Sequence, residues 1–141
     1  MTQSDIGATI CVGGYSAAVR PAEAITEAIK RREMRAYGLS APLHLVELDH
    51  LVPLSIGGSP GAIANLWPED LLQSFLGAGE KDQLEDYLHR QVCLGKMALA
   101  AAQEAIATNW IAAYCAARLS ECADGLHLIP AAARPGSTES D

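Results

Sequence analysis

Residues Val46–Asp70 read "VELDHLVPLSIGGSPGAIANLWPED". A Leu- and Val-rich run ends in an acid and a histidine, Asp49 and His50; Pro53 and the glycine cluster "IGGSPG" follow, and Asn65 stands about fifteen residues beyond His50. The weak alternation of "LHLVELDHLVPL" predicts a strand through about Asp49, broken by Pro53. A short extended piece or turn at Ala62 to Leu66 brings the chain back antiparallel. Asp49 beside His50 has two plain meanings, a capped turn or a surface salt link, and one chemical meaning that depends on what the rest of the chain supplies.

Outward from this hairpin the periodicity turns helical. Upstream, Pro21 suits a first helical position, and "AEAITEAIKRREMRAYG" sets Ile25, Ile29 and Met34 on one stripe before Gly38 ends it. Downstream, "LLQSFLGAG" is open between helical turns and a loop. "EKDQLEDYLHRQVCLG" is a helix, with Leu84, Leu88 and Val92 at four-residue spacing, acids in its first turn and Gly95 closing it. A last, Ala-rich helix runs from about Ala98 to Leu119 with Ile106, Trp110, Ile111 and Tyr114 on its buried side. Residues 1–20 read as an irregular or extended lead-in, 21–122 as one domain and 123–141 as an irregular tail. The expectation is an α+β domain, a small hairpin among three larger helices.

A chain of 141 residues, 50% of them hydrophobic, can fill one core. No apolar run reaches membrane-spanning length, so no membrane partner is expected, and no signal peptide is visible. The net charge of -7 argues against holding DNA by the overall field. Half of the ten basic residues, Arg20, Lys30, Arg31, Arg32 and Arg35, nevertheless share one segment, opposed by Glu23, Glu27 and Glu33. That segment is either a solvated helix face or a basic patch in which Arg31, Arg32 and Arg35 hold phosphates away from the chemistry. The four cysteines, Cys11, Cys93, Cys115 and Cys122, form no C-x-x-C pair, which disfavours structural zinc and leaves buried thiols and disulfides both open.

An acid, a histidine and an asparagine around a glycine turn suit phosphodiester hydrolysis. A hard divalent cation takes oxygen ligands, which Asp49 and Asn65 could supply, and a neutral imidazole such as that of His50 can take a proton from water. Strand alternation sends neighbouring side chains to opposite faces, so Asp49 and His50 share a site only if the chain bends on the approach to Pro53. His44, Glu47 and Trp67 have plain structural readings, exposure for the first two and a plug locking the loop for Trp67.

The stretch "LDHLVPLSIGGSPGAIANLWPE" resembles the HNH endonucleases, whose compact ββα-metal unit grips one ion. Within them it is similar to small, often exported bacterial members, in which "TICVGGYSAAVRP", "KRREMRAYG", "EKDQLEDYLHRQVC" and "AQEAIATNW" also have counterparts, a likeness over about residues 8 to 114. The resemblance implies a metal-dependent nuclease, with His50 as general base, Asp49 as ligand and Asn65 as a ligand or a holder of the loop. It implies Mg²⁺ first, with Mn²⁺, Ni²⁺ or Zn²⁺ as alternatives, and a nucleic acid substrate, DNA foremost, rather than a small molecule. The chain departs from the pattern at the third motif position, on the helix after the central Asn. Ser74 falls near the usual spacing and is a poor ligand; if 71–79 is an insertion, Glu80, Lys81 or Asp82 stands there instead. Asp82 could then complete the metal shell and Lys81 neutralise the scissile phosphate, with His89 two turns further along the same face. Similar chains pair cysteines at the positions of Cys11 and Cys93, which implies a disulfide and favours a secreted or periplasmic setting if a signal peptide precedes this sequence; Cys115 and Cys122 could pair too. The competing expectation is an HNH-like module that binds nucleic acid or protein with little or no catalysis.

Overall fold

A computed structural model describes residues 1–72 and 77–117. Among the described residues four α-helices, α1 (Tyr15–Val19), α2 (Glu23–Ala36), α3 (Ala78–Cys93) and α4 (Leu99–Ala116), accompany a hairpin of β1 (Val46–His50) and β2 (Leu66–Asp70). The fold is therefore α+β, as expected. The tail at 123–141, Ser74, and the partner expected for Cys115 at Cys122 lie outside the described residues.

The larger core lies between α3 and α4. Leu84, Leu88 and Val92 meet Leu99, Ala102, Ile106, Trp110 and Tyr114, and Ile10 and Ile56 close the ends of the cluster. The four-residue spacing that marked α3 puts these side chains on one stripe, and their burial is what holds the helix in place. Within α4, Asn109 leaves helical geometry (φ -162°, ψ 87°), and its Oδ1 accepts the Ala112 N–H at 3.0 Å, so the asparagine caps the second half of its own helix.

Three elements depart from the expectation. The lead-in is not irregular: Gln3–Ala8 forms a 3₁₀ helix, and α1 follows the left-handed Gly14. Its first turn is tied by Asp5, whose carboxylate accepts both the main-chain N–H and the hydroxyl of Thr2 at 2.8 Å, and its end is stapled to α3 by the Cys11–Cys93 disulfide. Of the extended piece or turn expected at Ala62 to Leu66, the turn is what forms, a 3₁₀ turn at Ile63–Asn65, and the returning strand follows it at Leu66–Asp70. Pro68 stands inside that strand, and in a two-stranded sheet both strands are edges, where proline is tolerated. In α2, Met34 is buried but Ile25 is 58% exposed, so the expected apolar stripe covers only the C-terminal half of the helix.

Candidate active site

The hairpin register pairs Glu47 with Glu69, Leu48 with Pro68, Asp49 with Trp67 and His50 with Leu66. Paired residues share a face, so Glu47, Glu69 and Asp49 lie together while Leu48 and His50 project the other way. The chain does not bend before His50, and the two side chains expected to share a site are divided by the strand itself.

His50 is 6% exposed. Its Nε2 lies 3.1 Å from the Pro60 carbonyl oxygen, which can only accept, so Nε2 carries the proton and Nδ1 is the basic nitrogen of the neutral ring. The residue lines a groove of about 650 Å³ between β1 and α2. Arg20, Lys30 and His44 line the same groove, opposed by Glu23, Glu27 and Glu47, so its charge is mixed.

Asn65 holds the loop that carries Pro60. Its Oδ1 accepts the Val52 N–H at 2.8 Å, and its Nδ2 donates to the carbonyl oxygens of Val52 and Ser59 at 2.9 and 3.0 Å. Both ends of the amide are thereby aimed at main chain. A Cβ at Gly58 would collide with the Val52 carbonyl oxygen, so glycine is required where the loop closes on itself. Of the two roles the resemblance left for Asn65, the geometry is that of a loop holder.

On the opposite face, α3 brings Lys81 beneath Asp49. Lys81 is 1% exposed, and its Nζ donates to the His50 carbonyl oxygen at 3.0 Å and to Glu85 Oε1 at 2.6 Å. Asp49 Oδ2 lies 2.6 Å from the same Nζ, so Lys81 is ion-paired to both carboxylates. Burial alone would lower the pKa of the ammonium; Asp49 and Glu85 outweigh it and hold Lys81 above the ordinary lysine value. Lys81 is thus enclosed, not presented to a phosphate.

The surrounding acids feel the converse. Burial, reinforced by Asp49 and opposed by Lys81, pushes the Glu69 carboxyl up to about 7. Burial, opposed by Lys81, brings Glu85 to about 7 as well. The Asp82 carboxyl is raised by burial and then by Asp49, although the residue is largely exposed. Glu69 and Glu85 were not foreseen. Glu85 was legible as the i+4 partner of Lys81, whereas Glu69 acquires its place only from the hairpin register.

The remaining expected residues lie elsewhere. Glu80 accepts the Gly77 N–H at 2.9 Å and caps α3. His89 Nε2 lies 2.8 Å from the Ile10 carbonyl oxygen and 3.5 Å from Cys93 Sγ, so it fastens the lead-in to α3 instead of joining Asp49. Arg31 pairs with Glu27 at 2.7 Å and Arg32 approaches Glu33 at 3.6 Å; both, with Arg35, are exposed, and none lines the groove. The cationic side chains that line the groove with His50 are Arg20 and Lys30.

A divalent ion held by Asp49 and Asn65 does not fit this arrangement, because one oxygen faces Lys81 and the other faces Val52. Among the described residues no group of three or more His, Cys, Asp or Glu is arranged to hold a metal ion. Compared with family models, with curated proteins and with solved structures, the chain matches none.

Proposed function

We propose that the chain hydrolyses phosphodiester bonds in nucleic acid, with His50 as the general base. The observation that carries this reading is the contact between His50 Nε2 and the Pro60 carbonyl at the groove: with Nε2–H donating there, Nδ1 is left to draw a proton from water. The Asn65 bonds keep Pro60 in position, so Asn65 acts through His50 as a positioning residue. Arg20 and Lys30 supply positive charge for a phosphate in the same groove, and no step runs through Asp49, which is turned away toward Lys81.

The test compares wild type with His50→Ala on supercoiled plasmid and on single-stranded RNA, with and without MgCl₂. A fall of about 100-fold or more in cleavage is expected, the usual contribution of a positioned base. Equal rates for the two proteins would end the hydrolase reading.

A second reading, a nucleic-acid or protein binding module without hydrolysis, draws on the mixed charge of the groove. It predicts that His50→Ala binds a labelled oligonucleotide as wild type does while neither protein cleaves it.

A further inference from the structure

The seam between the lead-in and α3 holds chemistry that hydrolysis at the groove does not use. Cys11 and Cys93 close a disulfide there, and His89 Nε2 stands 3.5 Å from Cys93 Sγ and 2.8 Å from the Ile10 carbonyl oxygen. A carbonyl only accepts, so Nε2 carries the proton and its N–H is directed into the seam. The bridge is within reach of solvent: both cysteines are half-buried, and the chain leaves each of them into three exposed residues, 12–14 and 94–96.

The two sulfurs of this bridge are not equivalent. A thiolate attacks one sulfur of a disulfide and the other leaves as a thiolate; the sulfur whose anion is better stabilised leaves faster. His89 and Cys93 are four residues apart on one face of α3, so the imidazole stays beside Cys93 Sγ whatever the lead-in does. Once the bridge opens, the N–H that faces Ile10 can donate to the Cys93 anion instead. Cys93 is also the last residue of α3, where the helix dipole disfavours an anion, so the thiolate depends on this donor. Among the described residues no hydrogen bond reaches Cys11 Sγ.

We propose that the bridge is a thiol-exchange site of fixed polarity: the thiolate of a low-molecular-weight monothiol attacks Cys11 Sγ, the Cys11–Cys93 bond breaks with its electron pair on Cys93 Sγ, and His89 receives that anion. The incoming thiol gives its proton to solvent and is oxidised into a mixed disulfide on Cys11, while Cys93 is the sulfur reduced. The lead-in keeps other anchors when the bond opens, Ile10 in the core and Gln3, whose Oε1 accepts the Leu99 N–H at 2.6 Å, so the exchange takes place on the folded chain. Cys11, His89 and Cys93 do not line the groove of His50, so cleavage by the chain does not bear on this site.

The experiment incubates the full chain under native conditions with about 10 mM 2-mercaptoethanol, quenches with N-ethylmaleimide and maps both modifications by peptide mass spectrometry, for wild type, His89→Ala and His89→Gln. In wild type the mixed disulfide is expected on Cys11 and the maleimide on Cys93, by at least about fivefold over the reverse. His89→Ala should bring that ratio to about one, and His89→Gln, which keeps an N–H donor, should retain part of it. A histidine that only packs the lead-in against α3 would change how fast the bridge opens but not which sulfur takes the thiol. An adduct shared equally in wild type or found mostly on Cys93 would overturn the proposal, as would the absence of any adduct or an unchanged ratio in His89→Ala. If His89→Ala does not fold, the wild-type ratio alone decides.

Discussion

Glu69→Gln should stabilise this protein, and by an amount that depends on pH. The carboxyl is buried against Asp49 and ionises near 7 in the folded chain against 4.5 as its ordinary value. Between those values the folded state holds the proton more tightly than the unfolded state, so stability falls as pH rises from 4.5 toward 7 and stays reduced above it. The gap corresponds to an upper bound of about 3 kcal/mol at pH 8 and almost nothing at pH 4. Glutamine keeps the shape and cannot ionise. Relaxation around the site should leave about 1–2 kcal/mol of gain at pH 8, or ~3–7 °C in Tm for a chain of this size. Urea unfolding of both proteins at pH 4, 6 and 8 gives the comparison directly. A Glu69→Gln variant equal to or less stable than wild type at pH 8, or a gain that does not change with pH, would refute the argument that desolvation and Asp49 dominate over Lys81. Glu85 is no substitute for this experiment, because its carboxylate is a direct partner of Lys81 and glutamine there would leave the ammonium short of charge.

Asn65→Ala removes three hydrogen bonds and leaves the Val52 and Ser59 main chain without those partners; a loss of about 2–4 kcal/mol in urea unfolding is expected, and a loss under ~0.5 kcal/mol would show that the loop holds itself. The Cys11–Cys93 bridge spans a sequence separation of 82, so its reduction should lower stability by about 4–5 kcal/mol through the freedom returned to the unfolded chain. Urea midpoints that coincide for wild type and the Cys11→Ser/Cys93→Ser variant would contradict that. His50→Ala, in contrast, should lose cleavage while keeping the wild-type stability to within ~1–2 kcal/mol, since its ring makes one hydrogen bond, to Pro60.

The helices were legible wherever burial is periodic. Leu84, Leu88 and Val92 repeat at helical spacing because a single stripe faces α4, and a stripe is visible in one dimension. Gly38 and Gly95 were legible as stops for a local reason: both have positive φ, which glycine accepts at little cost. The hairpin was legible as a hairpin, but the extent of its second strand through Pro68 to Asp70 was not, because it is edge position that tolerates the proline and no local rule contains that.

The site divides in the same way. Local reading was enough to establish that an acid, a histidine and an asparagine lie around one glycine-rich turn, since the turn and the strand before it are written in neighbouring residues. Their partners are not local. His50 meets Pro60 because Asn65 folds the loop back, Asp49 meets Lys81 because α3 packs beneath β1, and Glu69 faces Asp49 because of a register set by two strands together. Which nitrogen of His50 is basic and which cation Asp49 sees are therefore properties of the folded chain, for a physical reason: electrostatic and hydrogen-bond partners are chosen by distance in space, and spacing along the chain does not encode it.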